Sequence, residues 1–153
     1  MGNLGKHISI DVSIIDNPAD LAAAFEVRRS VFVVEQEISE REEYDGLDDA
    51  CIQFLARVDG RPTGTARLRI TPEGQAKAQR VAVLASHRGL GVGAAIMRAL
   101  DAEAARRGFV QVSLAAQLSA IPFYESVGYE AYGEIFWESN IEHRWMVHRL
   151  QHS

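Results

Sequence analysis

The chain has 153 residues, 47% of them hydrophobic and 24% charged, with a formal net charge of −5. That length suits one domain over residues 1–153, able to bury an ordinary core alone or as a small oligomer such as a homodimer, and the composition excludes a disordered chain. The negative balance argues against nucleic-acid binding, which needs clustered Lys and Arg, and favours a cationic small molecule as partner.

The opening Met1-Gly2-Asn3-Leu4-Gly5-Lys6 lacks the apolar core of a secretory leader, and Lys6 stands where a myristoylation signal following Gly2 wants Ser or Thr. No apolar run approaches the roughly 20 residues a bilayer span requires, so the expectation is a cytoplasmic protein with no membrane partner. Ile8, Ile10, Val12 and Ile14 alternate with polar residues as in a strand with one buried face. Asn17-Pro18-x-Asp20 then supplies an N-cap with proline at the first helical position, and the helix from Ala19 carries an apolar stripe of Leu21, Ala24, Phe25, Val31 and Phe32. Glu37 to Asp49 contains seven carboxylates and almost no apolar residue, so it reads as a solvated loop or frayed helix that could also attract a protonated amine. Cys51 is the single cysteine, set in an apolar alternation that suggests a core position; it can form no internal disulfide, no Cys/His cluster has zinc spacing, and no metal is expected.

Ile52, Phe54, Ala56 and Val58 alternate, Asp59-Gly60 is a tight-hairpin dipeptide, and Ala66, Leu68 and Ile70 alternate again, which predicts an antiparallel pair. Thr71-Pro72-Glu73-Gly74 is a second turn, followed by a strand over Gln79 to Leu84. Next comes Arg88-Gly89-Leu90-Gly91-Val92-Gly93, running into a helix with Val92, Ile96, Leu100 and Ala104 on one face, Arg98, Asp101 and Ala105 directed elsewhere, and Gly108 at its end. Val110, Val112 and Leu114 form the next strand, Ser119 to Ser126 a short helix, and Tyr129 to Trp137 with Glu142 to Leu150 a final strand pair. The order, β-α, antiparallel strands, then β-loop-α-β-α-β-β, predicts an α/β (α+β) fold: a mixed sheet with helices packed on its faces.

A strand that enters a glycine-rich turn and then a helix leaves several backbone N–H groups unpaired at the positive end of the helix dipole, which is an anion site. Glycines at 89, 91 and 93 let the main chain approach an anion closely, and Arg88 adds charge. Taken alone, the turn is equally compatible with a plain strand-to-helix connection. The P-loop is excluded because Gly93 is followed by Ala94-Ala95 where Lys and Ser or Thr are needed. Gly89-x-Gly91-x-x-Ala94 fits the dinucleotide pattern, but the next strand ends in Leu114-Ala115-Ala116-Gln117, without the acidic residue that takes ribose hydroxyls.

Arg88-x-x-Gly91-x-Gly93 resembles the R/Q-x-x-G-x-G/A signature of the GNAT superfamily of acetyl-CoA-dependent N-acetyltransferases, and Phe123-Tyr124-Glu125-Ser126-Val127-Gly128-Tyr129 resembles that family's F-Y-x-x-x-G-F/Y segment. Arg28 to Gln36 and Gly133-Glu134-x-Phe136-x-Glu138 through His143 and Met146 are similar to segments of its small bacterial ElaA/YjcF-like branch. The resemblance implies a mostly antiparallel central sheet with one splayed parallel pair, between whose strands the pantetheine arm enters. It also implies acetyl-CoA as cosubstrate and a primary amine of a small molecule or peptide as acceptor. The loop amides of Gly89, Leu90, Gly91, Val92, Gly93 and Ala94, with Arg88, would hold the pyrophosphate. The backbone of Val81, Ala82 and Val83 would pair with pantetheine amides and polarise the thioester carbonyl. Gln117 and Phe123 would lie along the cofactor arm, and Tyr124 would donate a proton to the leaving thiolate. Glu134 and His143 are the proposed proton acceptors, with Glu138, Glu35 or the acidic run acting through water as alternatives. Gln36 stands near the acceptor pocket by the same resemblance, and Trp137 and Trp145 either wall that pocket or fill the core. A non-catalytic acyl-CoA-binding module would share the loop without needing a productive Tyr124.

Overall fold

A computed structural model describes residues 7–150; Met1 to Lys6, on which the leader and myristoylation readings fall, lie outside the described residues. The elements are β1 (Ile10–Ile14), α1 (Pro18–Arg28), a π-helical turn (Arg29–Glu35), α2 (Glu40–Glu43), β2 (Ile52–Val58), β3 (Arg61–Ile70) and β4 (Ala76–Val83). They continue with α3 (Val92–Arg106), β5 (Gln111–Gln117), α4 (Ile121–Ser126), β6 (Glu130–Glu138) and β7 (Ile141–Arg149). One seven-stranded sheet runs in the order β1-β2-β3-β4-β5-β7-β6. Every neighbouring pair is antiparallel except β4 and β5, which are parallel and share the single register pair Lys77↔Ser113. Beyond that pair the two strands separate, which is the splay the resemblance implies.

Helices cover both faces of the sheet, and the alternation along β4 assigns them. Val81 and Val83 pack against the α3 cluster of Val92, Ile96, Leu100 and Ala104, whereas Ala82 points the other way into Val27, Val31 and Phe32. Asn17 caps α1, its side-chain oxygen accepting from the Asp20 N–H at 2.8 Å. The helix then widens: Gln36 N–H donates to Val31 O, five residues back, and Ile38 N–H to Phe32 O. This wider turn places both Val31 and Phe32 in the core. No helix among the described residues is long and apolar enough to cross a membrane.

Several boundaries differ from the sequence expectation. Ile8 precedes β1 and is exposed, and β4 begins at Ala76 rather than Gln79, because the turn at Thr71–Gly74 brings Ile70 directly opposite Ala76. β5 begins after Val110, which is 64% exposed. The expected helix at Ser119 is first a 3₁₀ turn over Leu118–Ala120 and becomes α-helical at Ile121. Cys51 lies just outside β2 and is half-buried rather than in the core, its thiol directed at Leu47 O at 3.2 Å.

The acidic run departs most from its expectation. Three of its carboxylates are not solvated but matched to three arginines from distant parts of the chain. Arg28, fully buried, donates from Nε to Glu43 and from Nη1 to Asp48 at 2.6 Å. Arg67, also fully buried, reaches Asp45 at 2.7 Å and Asp48 at 2.9 Å, and Arg80 meets Glu43 at 3.0 Å. Buried charges persist only when paired and hydrogen-bonded, so this segment is a folded lid on β3 and β4.

Candidate active site

The core strand of the site is β4, and it carries a bulge. Thr65 pairs with Ala82 and Arg67 with Gln79, so Ala66 faces two residues, Arg80 and Val81. Arg80 takes a left-handed φ of +58°, unusual for a side-chain-bearing residue. Its guanidinium compensates by donating to the Glu43 carbonyl at 3.1 Å and the Glu42 carbonyl at 3.2 Å, tying the bulge to the acidic segment. A bulge leaves ladder groups unpaired, and here it does so where the parallel strands diverge.

The divergence opens a cleft of about 410 Å³. Val81, Gln117, Tyr124 and His143, four of the residues selected from sequence, line it together, as do Gln36 and Trp145. Tyr124, on α4, is 9% exposed, wedged edge-on between Phe123 and Tyr129 at ring separations of 5.0 and 6.0 Å. Burial pushes its phenol well above the ordinary range, so it stays protonated at neutral pH, and its hydroxyl finds no hydrogen-bond partner among the described residues. His143 is buried, stacked on Phe136, with Nδ1 2.8 Å from Ile141 O. A carbonyl only accepts, so Nδ1 carries a proton, which leaves Nε2 as the ring nitrogen able to accept one in the neutral form. Gln117 Nε2 donates to Gln36 Oε1 at 2.8 Å, joining the end of β5 to the π-helical turn. Glu138 also lines the cleft, whereas Glu134 sits exposed in the irregular middle of β6 and does not join it. Trp137 is 68% exposed and walls nothing, while Trp145 serves the pocket.

The glycine loop lies beside this cleft at the end of β4. Gly91, with φ of +90°, caps α3, and the first helical bond runs from Ala95 N–H to Gly91 O. The N–H groups of Leu90 to Ala94 have no partner among the described residues, which leaves a row of donors at a helix N-terminus. A Cβ on Gly93 would come within 2.9 Å of Phe123, so the two sequence motifs touch, and glycine there is a packing requirement. Arg88 is already engaged within the protein. Glu35 takes its guanidinium in two bonds of 2.6 and 2.7 Å, Nε donates to Val83 O, and Arg88 in turn holds the Glu35 carboxyl below its ordinary range. Arg88 therefore braces the loop against the π-helical turn.

Sequence reading missed Arg69 and Lys77 as cleft residues and had Glu42 only as part of the acidic run expected to attract an amine. Glu42 accepts from Ser139 Oγ at 3.0 Å, linking the acidic segment to the β6–β7 turn across the cleft. No grouping of His, Cys, Asp and Glu among the described residues is arranged to hold a metal ion.

Known proteins are similar to this chain in sequence and fold. Residues 49–131 match the family model for an acetyltransferase (GNAT) domain. YjcF of Bacillus subtilis (strain 168), described as an uncharacterized N-acetyltransferase, is 38% identical over 135 residues, covering 88% of this chain and 96% of the relative. An acyl-CoA N-acyltransferase structure from Pseudomonas aeruginosa superposes with a TM-score of 0.79 at 31% identity, covering 92% of this chain and 99% of that one. Escherichia coli ElaA does so with a TM-score of 0.79 at 25% identity, over 94% of this chain and all (100%) of that one. The splayed parallel pair, the unpaired amides at the start of α3 and these likenesses agree: the chain belongs to the GNAT family of acetyltransferases, enzymes of acetyl-CoA-dependent acyl transfer.

Proposed function

We propose that the protein moves an acetyl group from acetyl-CoA to a primary amine of a small molecule or peptide by direct transfer, with Tyr124 as general acid and His143 as proton acceptor. The observation that carries this reading is the unpartnered, protonated hydroxyl of Tyr124 in the same cleft as the β4 bulge and His143 Nε2. Attack by the amine needs donors for the carbonyl oxygen, a base for the ammonium proton and an acid for the thiolate. A coenzyme thiol titrates near 8.5, below the buried phenol, so Tyr124 stays protonated and available to donate as charge develops on the departing sulfur. Glu134 has no part in this scheme because it stands outside the cleft. A screen of amines with detection of free thiol tests the reading. Coenzyme A binding without turnover on any amine would support the acyl-CoA-binding module instead.

The loop reading has its own test. A valine at Gly91 would be forced into a left-handed conformation, so it would disturb the fold as well as the ligand. Asn tolerates that conformation, and the nearest atom to a Cβ there is Ile10 Cδ1 at 4.0 Å, so Gly91→Asn leaves the helix start intact while crowding the donor row. Calorimetry on the folded variant is expected to show coenzyme A affinity weakened about tenfold or more, roughly 1.4 kcal/mol. Undiminished affinity would detach the loop from the cofactor.

Of the acidic residues, Glu43 and Asp45 are occupied by arginines, which leaves exposed Glu42 and Glu138 at the cleft to attract a cationic amine. Their field is screened beyond about 10 Å at 0.1 M salt. The apparent KM for the amine is therefore expected to rise with salt, and less steeply in the Glu42→Gln, Glu138→Gln double variant. Parallel salt slopes would assign no steering to these carboxylates.

A further inference from the structure

We infer that Arg69 and Lys77 form an anion subsite in the cleft, which makes the acceptor an amine that also carries a carboxylate or a phosphate. The inference rests on the acetyl-transfer reading above and names the class of its acceptor.

The β3–β4 register sets Arg69 directly opposite Lys77, and both half-buried side chains line the cleft. Like charges directly opposed on neighbouring strands destabilise a sheet, and partial burial weakens the screening that would relieve them. Elsewhere on this face the chain neutralises its cations. Arg67, two residues before Arg69 on the same side of β3, meets Asp45 and Asp48, and Arg80 meets Glu43. Arg69 and Lys77 have no hydrogen bond or ion pair to any described residue. The Lys77 ammonium instead stands 4.8 Å over the Trp145 ring, which positions the charge without cancelling it. Two cations held together against a cavity, in a protein that pairs its other cleft arginine, are accounted for by an anion that arrives with the ligand.

Their location indicates which ligand. Lys77 precedes the Arg80–Val81 bulge by three residues, roughly 10 Å along the strand at about 3.3 Å per residue. An acceptor of about dipeptide length spans that gap with its amine at the bulge and its anionic group between the two cations. Lys77 and Trp145 also border a second cavity of about 290 Å³ that includes Gln111 and Ser113, giving the anionic end room. Glu42 and Glu138 are lining residues of the first cleft only, so the walls offer both signs of charge to a zwitterion.

The test compares dipeptides bearing a free C-terminal carboxylate, the same dipeptides amidated, and aminoalkyl phosphates of similar length, with acetyl-CoA and thiol detection. The wild type is expected to favour an anionic series over the amides by about tenfold or more in kcat/KM; whichever anionic series is preferred identifies carboxylate or phosphate. Arg69→Gln and Lys77→Gln are expected to bring that preference within about twofold, while Arg98→Gln, an exposed α3 position, retains it. Equal preferences in wild type and both variants, or a preference for the amides, overturns the subsite. A second arm needs no turnover. With coenzyme A saturating the loop, glutarate is expected to raise the melting temperature of the wild type and not of Arg69→Gln. Arg69→Gln without glutarate is expected to melt higher than the wild type, by about 1–3 °C, as the repulsion disappears. If no acceptor is acetylated, the transfer reading fails while the melting arm still decides the anion site: glutarate acting equally on both proteins, or on neither, overturns it.

Discussion

Arg28→Met is expected to destabilise the fold by about 3 kcal/mol, because removing one member of a buried ion network leaves its partners under-compensated. The arginine is fully buried and the Glu43 side chain is 2% exposed, so Glu43 would keep only Arg80 and Asp48 only Arg67, with little water to replace the shared cation. Methionine fills much of the volume, which isolates the electrostatic loss from a cavity. The control is Arg29→Met: Arg29 pairs with Glu40 at the surface, with both side chains about half exposed, and solvent screening leaves such a pair little weight. Urea melts of the two variants are expected to separate clearly, and an Arg28→Met protein within about 1 kcal/mol of wild type would show the network to be dispensable. Acid probes the same network. Burial pushes the Asp45 carboxyl upward, but hydrogen bonds from Arg67 and the Leu47 N–H, together with the charges of Arg67 and Arg80, outweigh it and hold the carboxyl down at about 2. A depressed carboxylate contributes stability that is present above its ordinary value of about 3.9 and lost as pH falls through the folded value. Asp45→Asn is therefore expected to flatten the stability profile between about pH 4 and 2.

This network was illegible in the sequence for a physical reason. A run of carboxylates reads as solvated unless cations are known to meet it, and these come from residues 28, 67 and 80, on a helix and two strands. Arg67 occupies the polar phase of a strand whose other phase, Ala66 and Leu68, is core, so alternation alone assigns it to solvent. Asp101 is a similar case. Placed away from the apolar face of α3, it nevertheless accepts from the Tyr129 hydroxyl at 2.7 Å and meets His148 Nδ1 at 3.1 Å, and burial pushes its carboxyl upward. Periodicity reports which residues leave a helix's own core face; it carries no information about what a later strand lays across them.

What was legible depended on short-range signals. Asn17-Pro18 and Asp59-Gly60 fix a helix start and a hairpin by local backbone chemistry, and both appear where expected, the latter with both φ values positive. The glycine loop and Phe123-Tyr124 were read through their resemblance to family motifs, and the contact between them gives the loop's last glycine a physical reason: Gly93 must be small for Phe123 to lie against it. The Arg69–Lys77 pair required the strand register, which follows from the turn at Thr71–Gly74 only once β4 is known to begin at Ala76. The β4 bulge has no local signature at all, since the bonds that tie a left-handed Arg80 in place run from its guanidinium to carbonyls of the distant acidic segment.

Tyr124→Phe is expected to lower kcat by roughly 10²–10⁴-fold where proton donation limits the rate, the usual consequence of removing one positioned acid. The ring contacts with Phe123 and Tyr129 are kept, and the hydroxyl makes no hydrogen bond to a described residue, so its loss leaves no orphaned partner and little effect on stability. Charge accumulates on the thiolate only as the tetrahedral species collapses, so the donor acts in the transition state and acetyl-CoA affinity is expected to hold. A thioester with a more acidic leaving thiol needs less protonation, and the Phe variant is expected to recover rate on it disproportionately. Equal kcat in wild type and variant, with chemistry established as limiting by single-turnover kinetics, would exclude Tyr124 as the acid. Weaker cofactor binding at unchanged turnover would make it a residue that holds the pantetheine arm, and the proton would then reach the thiolate through water entering along the splay between β4 and β5.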